Sequence, residues 1–234
     1  MILTKNFLYI HTHKTGGCFV KDILESQFQG KNLGYNFNVP RSYYDGECKV
    51  HVGSIRNPFD WYVSMYHYYK PRNSPLIDAQ SDFQTNLKTL LNLYGTKKHK
   101  ELQTTDIEDK PIGYYYSPKR LLTDHPNGGF YKKDFINYPD NVGFYTWLWK
   151  RMNADKNNNL DNLEIIRTEN LNQELVNILE KHSSITDTQK EKILNLEKTN
   201  TSKRGDYRQY YTPELVDLVY KQDRYIFDRF NYEF

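Results

Sequence analysis

The chain has 234 residues, with 32 Lys and Arg against 29 Asp and Glu, giving a net charge of +3. A domain of this length buries roughly 70–75% of its unfolded surface, and so small a charge excludes the basic face of a nucleic-acid binder while suiting an anionic ligand. No apolar run reaches the length of a membrane span and no signal segment precedes the first strand, so a soluble, cytoplasmic chain without a membrane partner is expected.

Only 38% of residues are hydrophobic, yet 15% are aromatic, so rings are expected to supply much of the core. The two cysteines, Cys18 and Cys48, predict no structural disulfide and fit a reducing compartment. Residues 7–10, FLYI, read as a buried strand. A polar, glycine-containing stretch follows, then helical spacing at Phe19, Ile23, Leu24 and Phe28. Residues 30–46 read as a loop and 50–55 as the next strand. That strand runs into a helix from Pro58 to about Tyr69, ended by Pro71.

A helix is predicted over 78–94, with Phe83, Leu87, Leu90 and Leu91 on one face. Residues 95–112 are charged and lack a period, so a surface loop is expected. In 113–139, Asn127-Gly128-Gly129 is a turn signal between two short strands. A helix over 141–152 turns Phe144, Trp147 and Leu148 inward. After a turn at 157–159, residues 163–167 form the third strong strand, followed by a helix to about Lys181. Residues 186–196 form another amphipathic helix, with a capping-box spacing at Thr186 and Gln189. A basic, aromatic loop spans 198–211. One last helix starts at Pro213 and places Leu215, Leu218, Val219 and Ile226 inward. Strands alternating with helices predict a single α/β domain over 1–234, with a mostly parallel central sheet flanked by helices.

The chemistry concentrates in residues 11–19, HTHKTGGCF. A strand, a glycine-containing loop and a helix aim backbone N–H groups and the positive helix end at one anion, and Lys14 adds a full charge. Glycines at 16 and 17 would let the backbone approach a ligand closely. The order is not G-x-x-x-x-G-K-[ST], because the lysine precedes the glycines and Cys18 stands where a magnesium-binding hydroxyl would help. Arg56, at the carboxyl end of the second strand, falls on the sheet edge where α/β folds bind ligands. Ser64 follows two turns into the next helix. Alternatively, Arg56 pairs with a carboxylate such as Asp60, and Ser64 is a plain surface serine.

HTHKTGGCFV resembles the 5′-phosphosulfate loop of sulfotransferases, particularly carbohydrate-type and bacterial members with a loop like H-x-P-K-T-G-G-T. RNPFDWYVS resembles the family's 3′-phosphate element, R-[ND]-P-x-x-x-x-x-S. The likeness continues in LEIIRTENL and in the C-terminal segment containing Lys203, Arg204 and Gly205. It implies a P-loop nucleotide-kinase-like architecture and PAPS (3′-phosphoadenosine 5′-phosphosulfate) as sulfuryl donor. It further implies a hydroxyl acceptor, with a saccharide as one class, and acceptor choice in 71–160.

By the same resemblance, Lys14 and the amides of Thr15, Gly16, Gly17, Cys18 and Phe19 hold the phosphosulfate. Arg56 and Ser64 hold the 3′-phosphate, and Lys203, Arg204 and Gly205 close on the nucleotide unless that loop contacts no ligand. Lys14 would then stabilise charge on the leaving oxygen, and no metal is required.

Two residues depart from the pattern: His13 replaces a proline and Cys18 a Thr or Ser. A Gly-His element common between the two motifs is replaced by Leu33-Gly34-Tyr35-Asn36, which leaves the general base open. His13, beside Lys14, is the first candidate; His11, His51, His67, Asp45 and Glu47 are the others. Two further readings are an ATP-dependent P-loop-type kinase and a catalytically silent nucleotide-binding protein.

Overall fold

In a computed structural model, two short apolar strands near the start of the chain fold back on each other. These are β1 (Ile2–Leu3) and β2 (Leu8–Ile10), with Ile2 opposite Tyr9. The Thr4 hydroxyl fixes the turn, donating to Phe7 O at 2.9 Å and accepting from Phe7 N at 3.0 Å. The structure describes residues 1–33, 40–44, 46–72, 76–104, 137–197 and 204–234. These fall into two compact units, one built from 1–56 and 150–197 and the other from the remaining described residues.

The first unit holds the sheet, in the order β3-β1-β2-β4-β5. β2, β4 (His51–Ile55) and β5 (Leu163–Arg167) run parallel, with Ile10 opposite Gly53 and Ile55 opposite Arg167. All three carboxyl ends therefore reach one edge. β1 and β3 (Lys31–Asn32) are antiparallel additions on the other side of β2. Both were outside the sequence expectation, which read 30–46 as loop; strands of two residues leave no period to read. Residues 41–43 form a 3-10 turn in that same stretch.

Alternation along the strands sends Phe7, Tyr9, Val52 and Ile166 to one face. They pack against Phe19, Val20, Ile23 and Leu24 of α1 (Gly17–Gln27), and against Leu171, Leu175 and Leu179 of the helix Leu171–His182. The helix Asp187–Asn195 starts with the expected reciprocal capping box of Thr186 and Gln189. On the opposite sheet face, a Cβ at Gly53 would lie 2.4 Å from Asn153 Oδ1, so glycine lets that side chain close on the strand.

The second unit is helical and aromatic. Its α2 (Pro58–Tyr69) starts where predicted: the Asn57 side chain accepts from Phe59 N at 3.0 Å and Pro58 takes the first helical position. Phe59 is surrounded by Tyr211, Tyr220, Phe227 and Phe234, and Trp61 stacks on Tyr145 with centroids 4.2 Å apart. The Asp223 carboxylate is fully buried, accepting from Tyr62 OH and Thr146 N, both at 2.8 Å. Asp223 also divides the single C-terminal helix of the sequence reading into Pro213–Gln222 and Arg224–Phe230. Leu218 is only half-buried, whereas Leu215, Val219 and Ile226 are buried as expected.

Two further boundaries move. The helix predicted from 78 starts at Phe83, because Asp82 caps it by accepting from Thr85 N at 2.8 Å. Lys97–Thr104 is a helix where a loop was expected, and it buries His99 and Leu102. The helix predicted over 141–152 runs Phe144–Asn153 with Phe144, Trp147 and Leu148 buried. The turn expected at Asn127-Gly128-Gly129 lies outside the described residues. Among the described residues no helix is long and apolar enough to cross a membrane.

Candidate functional site

β2 passes into α1 through residues 11–16, whose backbone enters the left-handed region twice. Lys14 and Gly16 have φ of 63° and 79°, and Thr15 between them does not share the left-handed region. Gly16 is the left-handed cap of α1 and makes no side-chain capping bond. The first turn of α1 contains no acidic residue, so neither a side-chain cap nor a carboxylate competes there for the positive helix end. This is the electrostatic arrangement of an anion site, with Lys14 in the loop beside it.

The glycines serve packing more directly than ligand approach. A Cβ at Gly17 would lie 1.7 Å from His11 Cδ2, and one at Gly16 would lie 2.5 Å from Leu171 Cδ2. His11 therefore shapes the loop by filling the space beneath the helix start.

Thr15 is fully buried and its hydroxyl is committed to the loop. It donates to Thr12 O at 2.6 Å, because a carbonyl can only accept. A hydroxyl has one proton, so Ser54 Oγ must donate across the 2.6 Å contact to Thr15 Oγ1. Tyr9 OH in turn donates to Ser54 Oγ at 3.1 Å. The chain of hydroxyls thus runs one way, from Tyr9 through Ser54 and Thr15 to the Thr12 carbonyl. Thr12 is held again where Asn153 Nδ2 donates to its Oγ1 at 3.1 Å. Burial raises the Tyr9 phenol pKa, so it stays protonated as the first donor. Sequence reasoning missed Ser54; its one signal was a small hydroxyl in the otherwise apolar end of the strand HVGSI.

Arg56 follows β4, and its Nη1 donates to the Lys14 carbonyl at 3.2 Å. Lys14 and Arg56 therefore meet at the edge formed by the parallel strand ends. Asp60, named from the sequence as an alternative partner for Arg56, is ion-paired with Arg204. His13 is buried, and burial first, then the Arg151 and Lys14 charges, lower its pKa to about 3. It is neutral at physiological pH. Cys18 is exposed and Cys48 half-buried, and neither forms a disulfide. His51 is held below its ordinary pKa by burial and then by Arg41.

In the second unit, Asp60, Ser64 and His67 are spaced i, i+4, i+7 and share one face of α2. Arg204 Nη2 pairs with Asp60 Oδ1, and His67 Nε2 lies 2.8 Å from Tyr210 OH. Tyr211 OH donates to Phe59 O at 2.7 Å, so residues 204–211 are fastened along that helix. Burial, then the Arg204 and Lys70 charges, lower the His67 pKa. Ser64 is 5% exposed rather than a surface serine. Gly205 is exposed, and Lys203, Asp45 and 34–39 lie outside the described residues.

A sheet whose strands β2, β4 and β5 run parallel, with a glycine-containing loop and a helix following β2 at their carboxyl edge, defines an α/β protein. No family model matches the chain, and no curated protein matches its sequence. A solved structure of mouse sulfotransferase SULT7A1 complexed with PAP is similar to it, at 17% identity and a TM-score of 0.46. The match covers 93% of this chain and 84% of the mouse chain.

Proposed function

We propose that this chain is a sulfotransferase that takes the sulfuryl group of PAPS to a hydroxyl acceptor, with saccharides the first class to test. The observation that carries this reading is the meeting of Lys14 and Arg56 beside an α1 start that has neither a side-chain cap nor an acidic first turn. The residues fit such a donor, because they offer cations and backbone N–H groups and place no carboxylate at the helix start. When bound, PAPS supplies an activated sulfuryl group whose departure leaves negative charge on a phosphate oxygen.

In this reading Lys14 and the amides of Thr15, Gly16, Gly17, Cys18 and Phe19 stabilise that charge. Thr15 acts through its backbone, since its hydroxyl proton is given to Thr12. Arg56, Ser64, Lys203, Arg204 and Gly205 hold the nucleotide, by the resemblance of their motifs to those of the family. His13, held neutral, contributes a hydrogen bond rather than a positive charge. Residues 1–234 act as one sulfotransferase domain, and 71–160 carry acceptor choice.

Calorimetry with adenosine 3′,5′-bisphosphate, adenosine 5′-monophosphate and ATP with magnesium tests the reading. Charge-assisted hydrogen bonds contribute roughly 1.5–3 kcal/mol each, so the bisphosphate should bind about tenfold or more tighter than the monophosphate, without metal. Equal affinities would remove the 3′-phosphate element from the case, and a preference for ATP with magnesium would favour a kinase. Turnover of labelled PAPS over an acceptor panel then separates an enzyme from a silent binder.

A further inference from the structure

The Arg204 side chain is 9% exposed, which is unusual for so polar a group unless its donors are used. One side of the guanidinium is used, because Nη2 meets the Asp60 carboxylate and lies 3.5 Å from the Asp60 carbonyl. The other terminal nitrogen, Nη1, is buried and has no hydrogen-bond partner among the described residues. Ser64 stands one turn from Asp60 on the same face of α2, and its hydroxyl makes no hydrogen bond among the described residues. The Arg204 charge also reaches His67, three residues beyond Ser64. Ser64 thus follows Asp60, which holds the guanidinium, by one turn along the same face of α2.

We propose that Asp60 is a positioning residue: by holding one edge of the Arg204 guanidinium, it turns the other edge, with Ser64, toward the 3′-phosphate of the nucleotide. This rests on the sulfotransferase reading above. A free arginine loses much rotamer freedom when it binds a ligand, whereas one already pinned loses little. The planar fork makes this possible, since one carboxylate can occupy one edge while the other edge stays available to a phosphate. The Asp60 charge opposes the phosphate, but from the far side of the cation it orients. The resulting site discriminates by geometry, favouring nucleotides that carry a 3′-phosphate.

The test is calorimetry on the full chain with adenosine 3′,5′-bisphosphate and adenosine 5′-monophosphate. The variants are Asp60→Asn, Asp60→Glu, Arg204→Ala and the double variant Asp60→Asn/Arg204→Ala. Asp60→Asn should lower bisphosphate affinity about tenfold and change monophosphate affinity less than about twofold. Asp60→Glu should recover part of the loss. In the Arg204→Ala background, Asp60→Asn should cost nothing more, because its effect passes through the arginine. Loss of both affinities together, or full additivity in the double variant, would overturn the positioning role and leave the sulfotransferase reading intact. A wild-type chain that does not prefer the bisphosphate would overturn the parent reading and this inference with it. Melting temperatures of the variants without nucleotide show whether Asp60→Asn still folds. If it does not, the comparison of Asp60→Glu with wild type decides, and an unchanged bisphosphate-to-monophosphate ratio counts against the proposal.

Discussion

Lys14 owes its place to a backbone that few lysines adopt, with φ at 63° and its carbonyl bound by Arg56. The loop around it is held by Thr15, Ser54 and Asn153, none of which needs the lysine side chain. Lys14→Ala should therefore leave the loop standing and nucleotide binding partly intact. If its ammonium neutralises the leaving oxygen, turnover should fall on the order of 100-fold to 1,000-fold, and more than affinity does. Single-turnover transfer at saturating PAPS beside a binding titration of the bisphosphate measures both. Transfer close to wild type would take the catalytic role away from Lys14. Lys14→Arg should rescue poorly, since a planar guanidinium does not fill the space of a compact ammonium.

The strand–loop–helix element depends on a hydroxyl chain that no local pattern encodes. Ser54→Ala should leave the buried Tyr9 hydroxyl without its acceptor and Thr15 without its donor, at a cost of about 1–3 kcal/mol. Adding Tyr9→Phe should recover part of that loss, because a buried donor is removed with its acceptor. Urea unfolding of both variants gives the numbers, and a Ser54→Ala protein as stable as wild type would show the chain to be incidental. This also explains what was legible beforehand. The loop at 11–19 stood out because a strand run, two glycines and a helical period follow within a few residues. Ser54 and Thr15 are 39 residues apart, and Asp60 and Arg204 are 144 apart, so these pairings leave no periodic trace. The break at Asp223 was hidden because Ile226 stays in phase with Val219, and only the buried carboxylate reveals it.

Across the molecule, the two units carry buried groups with opposite responses to acid. In the first, His13 titrates near 3 rather than near its ordinary 6.5, so the unfolded chain takes up its proton first. Its contribution is complete above about pH 6.5 and is lost as pH falls toward 3. In the second, burial raises the Asp223 carboxyl to about 6 from an ordinary 3.8, so the native state takes up that proton first. Stability there declines as pH rises from about 4 to 6 and stays lower above. From pH 7 to pH 5, the first unit should lose about 2 kcal/mol and the second gain about 1–2 kcal/mol. Hydrogen exchange corrected for intrinsic rates, read separately over β2 and α1 and over α2, would show protection moving in opposite directions. His13→Asn and Asp223→Asn should each flatten one response. Parallel movement in both units would refute the assignment.

The crowding at the start of α1 has its own bearing on how the chain tolerates random change. In a library of single substitutions scored for activity, Gly17 would fail as completely as any ligand-binding position, although a Cβ there collides with the His11 ring. Such a score would mark the glycine as functional when what it protects is a neighbour's seat. The ambiguity is resolved by second-site change, since Gly17→Ala has a route back through His11→Ala and a true ligand contact does not. Gly16 has no such route, because its left-handed backbone penalises a side chain even after Leu171 is trimmed. Adjacent glycines in one loop would thus differ in evolutionary reach, one revertible from outside and the other fixed.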